Sequence, residues 1–164
     1  MGKINGSWSG MRKYLETEMI TDSLKGRIRY NCTTYVGMDG FKVFEIFVDG
    51  KMIKRFSLET VNSYFIKNNY KKKSNSEYWD EFWDLMDSVP IENRTEYTDG
   101  EFCEALKNYR NNDIQDSIRS KNSIEVMFAI LDRRIGKKTL KDIESNSDNY
   151  PKWLNYFYEL RLKS

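Results

Sequence analysis

Nine residues, Arg133 to Lys141, carry five cations: Arg133, Arg134, Lys137, Lys138 and Lys141. Cations at this density can hold a phosphate group or an acidic protein surface, and Asp132 is placed to orient one of the arginines. They can equally complement the dipole of a helix ending nearby, at about 0.3–1 kcal/mol each. A second stretch has the opposite sign. Glu77, Asp80, Glu81, Asp84 and Asp87 recur at the spacing of one helical face. Such a stripe is the solvated side of an amphipathic helix, a docking surface for a basic partner, or a weak divalent-metal site. A magnesium site needs only one or two protein carboxylates beside a phosphate, so the bare count decides little.

Other chemistries have no residues to carry them. The chain holds no histidine, which removes Ser-His and Cys-His nucleophiles, His-bound zinc and histidine acid–base catalysis. Cys32 and Cys103 stand outside any Cys-x-x-Cys unit and read as free thiols. There is no glycine-rich phosphate loop. No catalytic residue, cofactor-binding residue or metal ligand is therefore assigned, and no cofactor is expected. Against 27 Lys and Arg stand 25 Asp and Glu, a net charge of +2, too even for a general phosphate binder. Polar residues follow Met1-Gly2-Lys3-Ile4 and no run of about 18 apolar residues exists. A cytoplasmic protein with no membrane span is expected.

These residues need elements to position them. Asp39-Gly40 and Asp49-Gly50 punctuate the run from Arg27 to Ser57, and Asp-Gly suits the positive φ of a tight hairpin. The run reads as a three-stranded antiparallel meander over about 27–57. With each Asp-Gly at the centre of a two-residue turn, Val48 faces Lys51, Glu45 faces Lys54, Met38 faces Phe41 and Thr34 faces Glu45. One face then collects Ile28, Tyr30, Cys32, Val36, Met38, Val43, Phe47, Met52 and Phe56, crossed by a polar row of Thr34, Glu45 and Lys54. That row is a cross-strand ion pair or a polar spot in a ligand site. The other face holds Tyr35, Phe44, Ile46, Val48 and Ile53 beside Asn31, Thr33, Lys51 and Arg55. It is too apolar to be freely solvated, so a helix or a second copy of the chain is expected to cover it.

Helical periodicity accounts for the rest, giving an α+β class with five to seven helices packed on the meander, mostly C-terminal to it. Apolar stripes predict helices over Ser9–Met19, Leu58–Lys67, Glu77–Asp87, from Thr98 to about Arg110, around Ile114–Ile118, from Asn122 or Ser123 onwards, and after Pro151. Trp8 anchors the N-terminus in the core. Ser74 with Glu77, and Thr98 with Glu101, have capping-box spacing. Gly136 is a natural left-handed stop for the helix carrying Ile124, Met127, Phe128 and Leu131. Lys71-Lys72-Lys73 reads as a solvated loop or, more sharply, as a phosphate contact. At 164 residues one domain is expected.

Ser7-Trp8-Ser9, Leu24 to Tyr30, Val48-Asp49-Gly50, the Leu131 to Leu140 segment and Phe157 to Arg161 resemble a family of small uncharacterised bacterial proteins. The resemblance implies a stand-alone bacterial cytoplasmic domain and carries no activity or site residues.

Three functions follow. The favoured one is a non-catalytic module acting through protein–protein contact, by the acidic stripe or the basic patch, with a homodimer through the second sheet face as one form. Nucleic-acid binding would need Arg27, Arg29, Lys71, Lys72, Lys73, Arg133, Arg134, Lys137 and Lys138 to converge, with Tyr35 and Phe44 as a stacking platform. A histidine-independent enzyme on a nucleotide or phosphorylated substrate would first implicate Glu45 and Lys54.

Overall fold

The computed structural model describes residues 6–35, 41–71 and 77–164. Among them are one antiparallel sheet, in the order β1 (Ile28–Thr34), β2 (Lys42–Val48), β3 (Lys51–Phe56), and nine α-helical segments. The helices are α1 (Trp8–Lys13), α2 (Leu58–Lys67), α3 (Tyr78–Ser88), α4 (Asp99–Asn111), α5 (Ile114–Ile118), α6 (Ser123–Leu131), α7 (Lys137–Asp142), α8 (Glu144–Ser147) and α9 (Lys152–Lys163). The two beyond the expected seven are the short α7 and α8, cut from a run with little apolar periodicity. A π-helical turn, Tyr14–Glu18, extends α1.

Caps set several boundaries. Ser57 accepts the Thr60 amide and opens α2. Thr98 and Glu101 form the full capping box of α4. Asp113 and Asn122 cap α5 and α6. Ser74 lies outside the described residues.

The sheet register differs from expectation. Asp49 and Gly50, both at positive φ, make the tight turn that pairs Val48 with Lys51. Beyond it, β3 has one extra residue at Ile53, so Lys54 pairs with Ile46 and Arg55 with Glu45. In the first hairpin Thr34 pairs with Lys42 and Asn31 with Glu45, because the connection is longer than two residues; Tyr35 N–H donates to the Phe41 carbonyl at 3.1 Å. The Asp39-Gly40 turn itself lies outside the described residues. The slip is three residues, an odd number, and an odd slip exchanges the two faces of a strand. Phe44, Ile46 and Val48 therefore join Ile28, Tyr30 and Phe56 in the core. Glu45 and Lys54 do not pair. This chain's own helices cover Phe44, Ile46 and Val48, the first of the two coverings expected for those residues. The outward side presents Arg29, Asn31, Glu45 and Arg55 with Phe47 and Met52.

Two apolar clusters result. The main one packs the sheet against α4, α6 and α9, with Phe44 stacked on Phe102 at 4.4 Å between ring centres and Trp8 edge-on to Phe44 at 5.2 Å. In α6 every residue from Ile124 to Leu131 is buried. The second, smaller cluster joins α2 to α3 through Leu58, Val61, Phe65, Phe82 and Val89.

Candidate protein-interaction surface

Helix α3 buries only Phe82, which meets Phe65 edge-on at 5.8 Å. The cluster beneath is too small to cover more than one stripe. Trp79 and Trp83, one turn apart, are left 49% and 46% exposed. Residues four apart on a helix are surface neighbours, so the two indoles form one ridge. Beside it, Asp80, Asp84 and Asp87 are exposed, as is Glu77 at the head of the helix; Glu81 turns partly inward. From Glu77 to Asn93 the chain carries six carboxylates, counting Glu92, and no Lys or Arg. The acidic stripe thus forms one surface, and tryptophan lies along its edge. Both indoles pack edge-on to Phe82, and their exposure follows from the small size of the second cluster.

Trp83 also walls a notch of about 290 Å³, closed by Phe41, Leu58 and the first turn of α4. Three carboxylates reach it. Asp99 accepts the Lys42 amide at 3.0 Å. Glu101 is held by Arg94, with Nη1 at 2.9 Å from Oε1 and Nη2 on Oε2. Glu104 is exposed to solvent. Among the described residues no three Asp, Glu or Cys side chains converge as metal ligands.

Lys71 is buried at 5% exposure and is not a solvated loop residue. Its Nζ lies 3.2 Å from the centre of the Tyr78 ring, 4.8 Å from Phe82 and 5.4 Å from Trp79. Asn62 Oδ1 accepts from it at 3.3 Å. Burial lowers its pKa, opposed by the charge of Glu81. Lys72 and Lys73 lie outside the described residues.

The basic segment is divided by the fold. After α6 the Asp132 carboxylate accepts the Arg134 amide at 2.8 Å, together with its guanidinium and the Tyr109 hydroxyl. This local turn stops the helix at Leu131 before Gly136 is reached. Gly136 then precedes α7 at φ −81, as its N-terminal cap and not a left-handed stop. Lys137 and Lys138 therefore occupy the first turn of α7, the unfavourable end of its dipole. Those two with Arg133 and Lys141 are exposed, while Arg134 is committed to Asp132. Burial raises the Asp132 pKa, but its bonds to Arg134 and Tyr109 outweigh this and hold it below the usual value.

Other expected cations are also engaged. Arg27 pairs with Asp49 at 2.9 Å and Arg29 with Glu16 at 3.7 Å. Phe44 is buried and offers no stacking platform. Lys54 is buried, donating to Glu96 Oε2 at 2.6 Å and the Thr95 carbonyl at 2.7 Å, beneath the Trp153 and Tyr97 rings. Burial pushes its pKa down while Glu96 pulls it up. It pins the 95–97 segment to β3, a role hidden from the sequence by the extra residue at Ile53.

A family model matches residues 7–162. The chain belongs to the SF0329 protein family. The match takes in the α3 surface, the Asp132 corner and both ends of the core. No curated protein and no solved structure matches the chain. No helix among the described residues is long and apolar enough to cross a membrane.

Proposed function

We propose that this SF0329 family protein is a non-catalytic interaction module that docks a basic protein segment on α3. One observation carries the reading: two half-exposed tryptophans sit one turn apart on a helix whose own stretch of chain, Glu77 to Asn93, holds six carboxylates and no Lys or Arg, while the lysine packed against it, Lys71, is buried. Tryptophan is the residue most enriched among binding hot spots, because a large rigid ring buries much area at little entropic cost. The carboxylates steer a cationic partner to the ridge and fix its register. The notch beside Trp83 accepts one apolar or basic side chain, with Glu104 at its rim. Resemblance of the terminal segments to small bacterial proteins supports a bacterial cytoplasmic setting.

Affinity capture from the native host tests this. Wild-type protein, Trp83→Ala, the triple variant Asp80→Asn/Asp84→Asn/Asp87→Asn, and Lys137→Ala/Lys138→Ala are used side by side. The expected partner is retained by wild type and by the α7 variant and lost from the other two. A partner that ignores both α3 variants refutes the reading.

A second reading rests on Arg133, Lys137, Lys138 and Lys141, which are exposed beside the Asp132 corner. They would suit nucleic acid. Binding to mixed DNA and RNA that weakens as salt rises would support it; no binding at low salt would remove it.

A further inference from the structure

The Lys71 site is built for a cation in a place that does not otherwise favour one. Tyr78 and Trp79 form the first turn of α3, the positive end of the helix dipole, where an ammonium group is disfavoured. Among the described residues no carboxylate pairs with Lys71 Nζ; its one hydrogen bond is to the neutral Asn62 amide. Three aromatic faces supply the rest of its environment. Beneath them Glu81 keeps one buried carboxylate oxygen, Oε2, without a hydrogen-bond partner, and its charge opposes the fall in the Lys71 pKa. Ring faces around an ammonium group are the chemistry by which proteins recognise organic cations. One wall, Trp79, is 49% exposed and belongs to the ridge, so a partner seated on the proposed contact surface borders the site.

We propose that Tyr78, Trp79 and Phe82 form a recognition pocket for an alkylammonium group, a lysine side chain of the basic partner, and that Lys71 is its resident competitor. The inference rests on the docking function of α3 and names the chemical group that α3 recognises. A tethered occupant competes at an effective concentration in the millimolar range or above, and it reduces apparent affinity by the fraction of time it fills the pocket. The partner's lysine therefore binds by exchange with Lys71.

The test uses the full chain with Lys71→Gln, which removes the charge, shortens the side chain by one atom and keeps it polar. Two probes are titrated: n-butylammonium, which mimics a lysine side chain, and pentalysine peptide. The Trp79 indole N–H resonance is followed by NMR, with Trp79→Ala fixing its assignment. Lys71→Gln is expected to bind n-butylammonium at Trp79 at least about ten-fold more tightly than wild type, and pentalysine likewise. Equal response of the two proteins to n-butylammonium, or none from a folded Lys71→Gln, overturns the inference. Pentalysine binding that depends on Trp83 yet is unchanged by Lys71→Gln also overturns it and leaves the docking function standing. Butylammonium binding to Lys71→Gln without pentalysine binding to either protein has the opposite meaning: the pocket is retained and the docking reading fails. If Lys71→Gln loosens α3, wild-type protein decides by reductive methylation and mass spectrometry. Lys71 should be protected in the free chain and modified with pentalysine bound; protection in both states overturns the exchange.

Discussion

Replacing Glu101 should cost far more stability than its single place in a capping box implies. Its carboxylate has two duties. It accepts the Thr98 amide at 3.0 Å, completing the cap of α4, and it holds the Arg94 guanidinium in two-point contact. The Arg94 side chain is only 2% exposed and that of Glu101 19%. The other partners of Arg94 Nη1 are weak, Met86 Sδ at 3.6 Å and the Glu96 carbonyl at 3.5 Å, and its Nε already lacks one. Glu101→Ala would leave a buried cation unpaired, a loss of about 3–5 kcal/mol. The lost cap, about 1 kcal/mol, is part of the same event and does not add in full. For a chain of this size the melting temperature should fall by about 6–20 °C. Thr98→Ala removes the cap alone and should cost about 1 kcal/mol. Arg94→Met/Glu101→Leu removes both charges and should recover most of the loss, since an apolar pair of similar volume replaces a buried ion pair at little cost. Urea unfolding followed by circular dichroism measures all three. Glu101→Ala within about 0.5 kcal/mol of Thr98→Ala would refute the reasoning, because the pair would then add nothing beyond its cap.

Glu104→Gln at the rim of the same notch should leave stability within about 0.5 kcal/mol of wild type and weaken partner capture. Phe44→Ala should cost about 3–5 kcal/mol by urea unfolding and Phe47→Ala clearly less; the reverse order would restore the two-residue turn between β1 and β2. Stability should be flat between about pH 5 and 8, because the chain has no histidine. Above pH 10 it should fall. Burial raises the pKa of Tyr30, Tyr109, Tyr64, Tyr150 and Tyr158, and that of Tyr97 to about 12. The unfolded chain then releases these protons first, so their contribution is full below pH 10 and is lost as pH rises through the folded values. Tyrosinate absorbance at 295 nm checks this: all 11 tyrosines ionising near pH 10 in a still-folded chain would contradict it. Sedimentation should show a monomer at tens of micromolar, since Phe44, Ile46 and Val48 are covered from within.

Local chemistry was legible wherever a residue acts on its near neighbours. The Thr98–Glu101 box, the Asp49-Gly50 turn, the Asn122 cap and the bounds of α2 each depend on contacts within a few residues, and composition alone removed histidine chemistry. What the chain could not disclose locally was decided by longer-range packing. One extra residue at Ile53 and a longer connection before Phe41 exchanged the sheet faces, because side chains alternate with period two and an odd slip inverts them all. Asp132 stopped α6 at Leu131, five residues before Gly136, and moved Lys137 and Lys138 to the start of a helix. Lys71, in a run of three lysines, became a buried cation because Tyr78, Trp79 and Phe82 are brought over it by α3. The stripe of carboxylates was visible from spacing; that tryptophan lies exposed along its edge was not, because exposure depends on how much neighbouring surface the second cluster provides, and only the assembled chain determines that area.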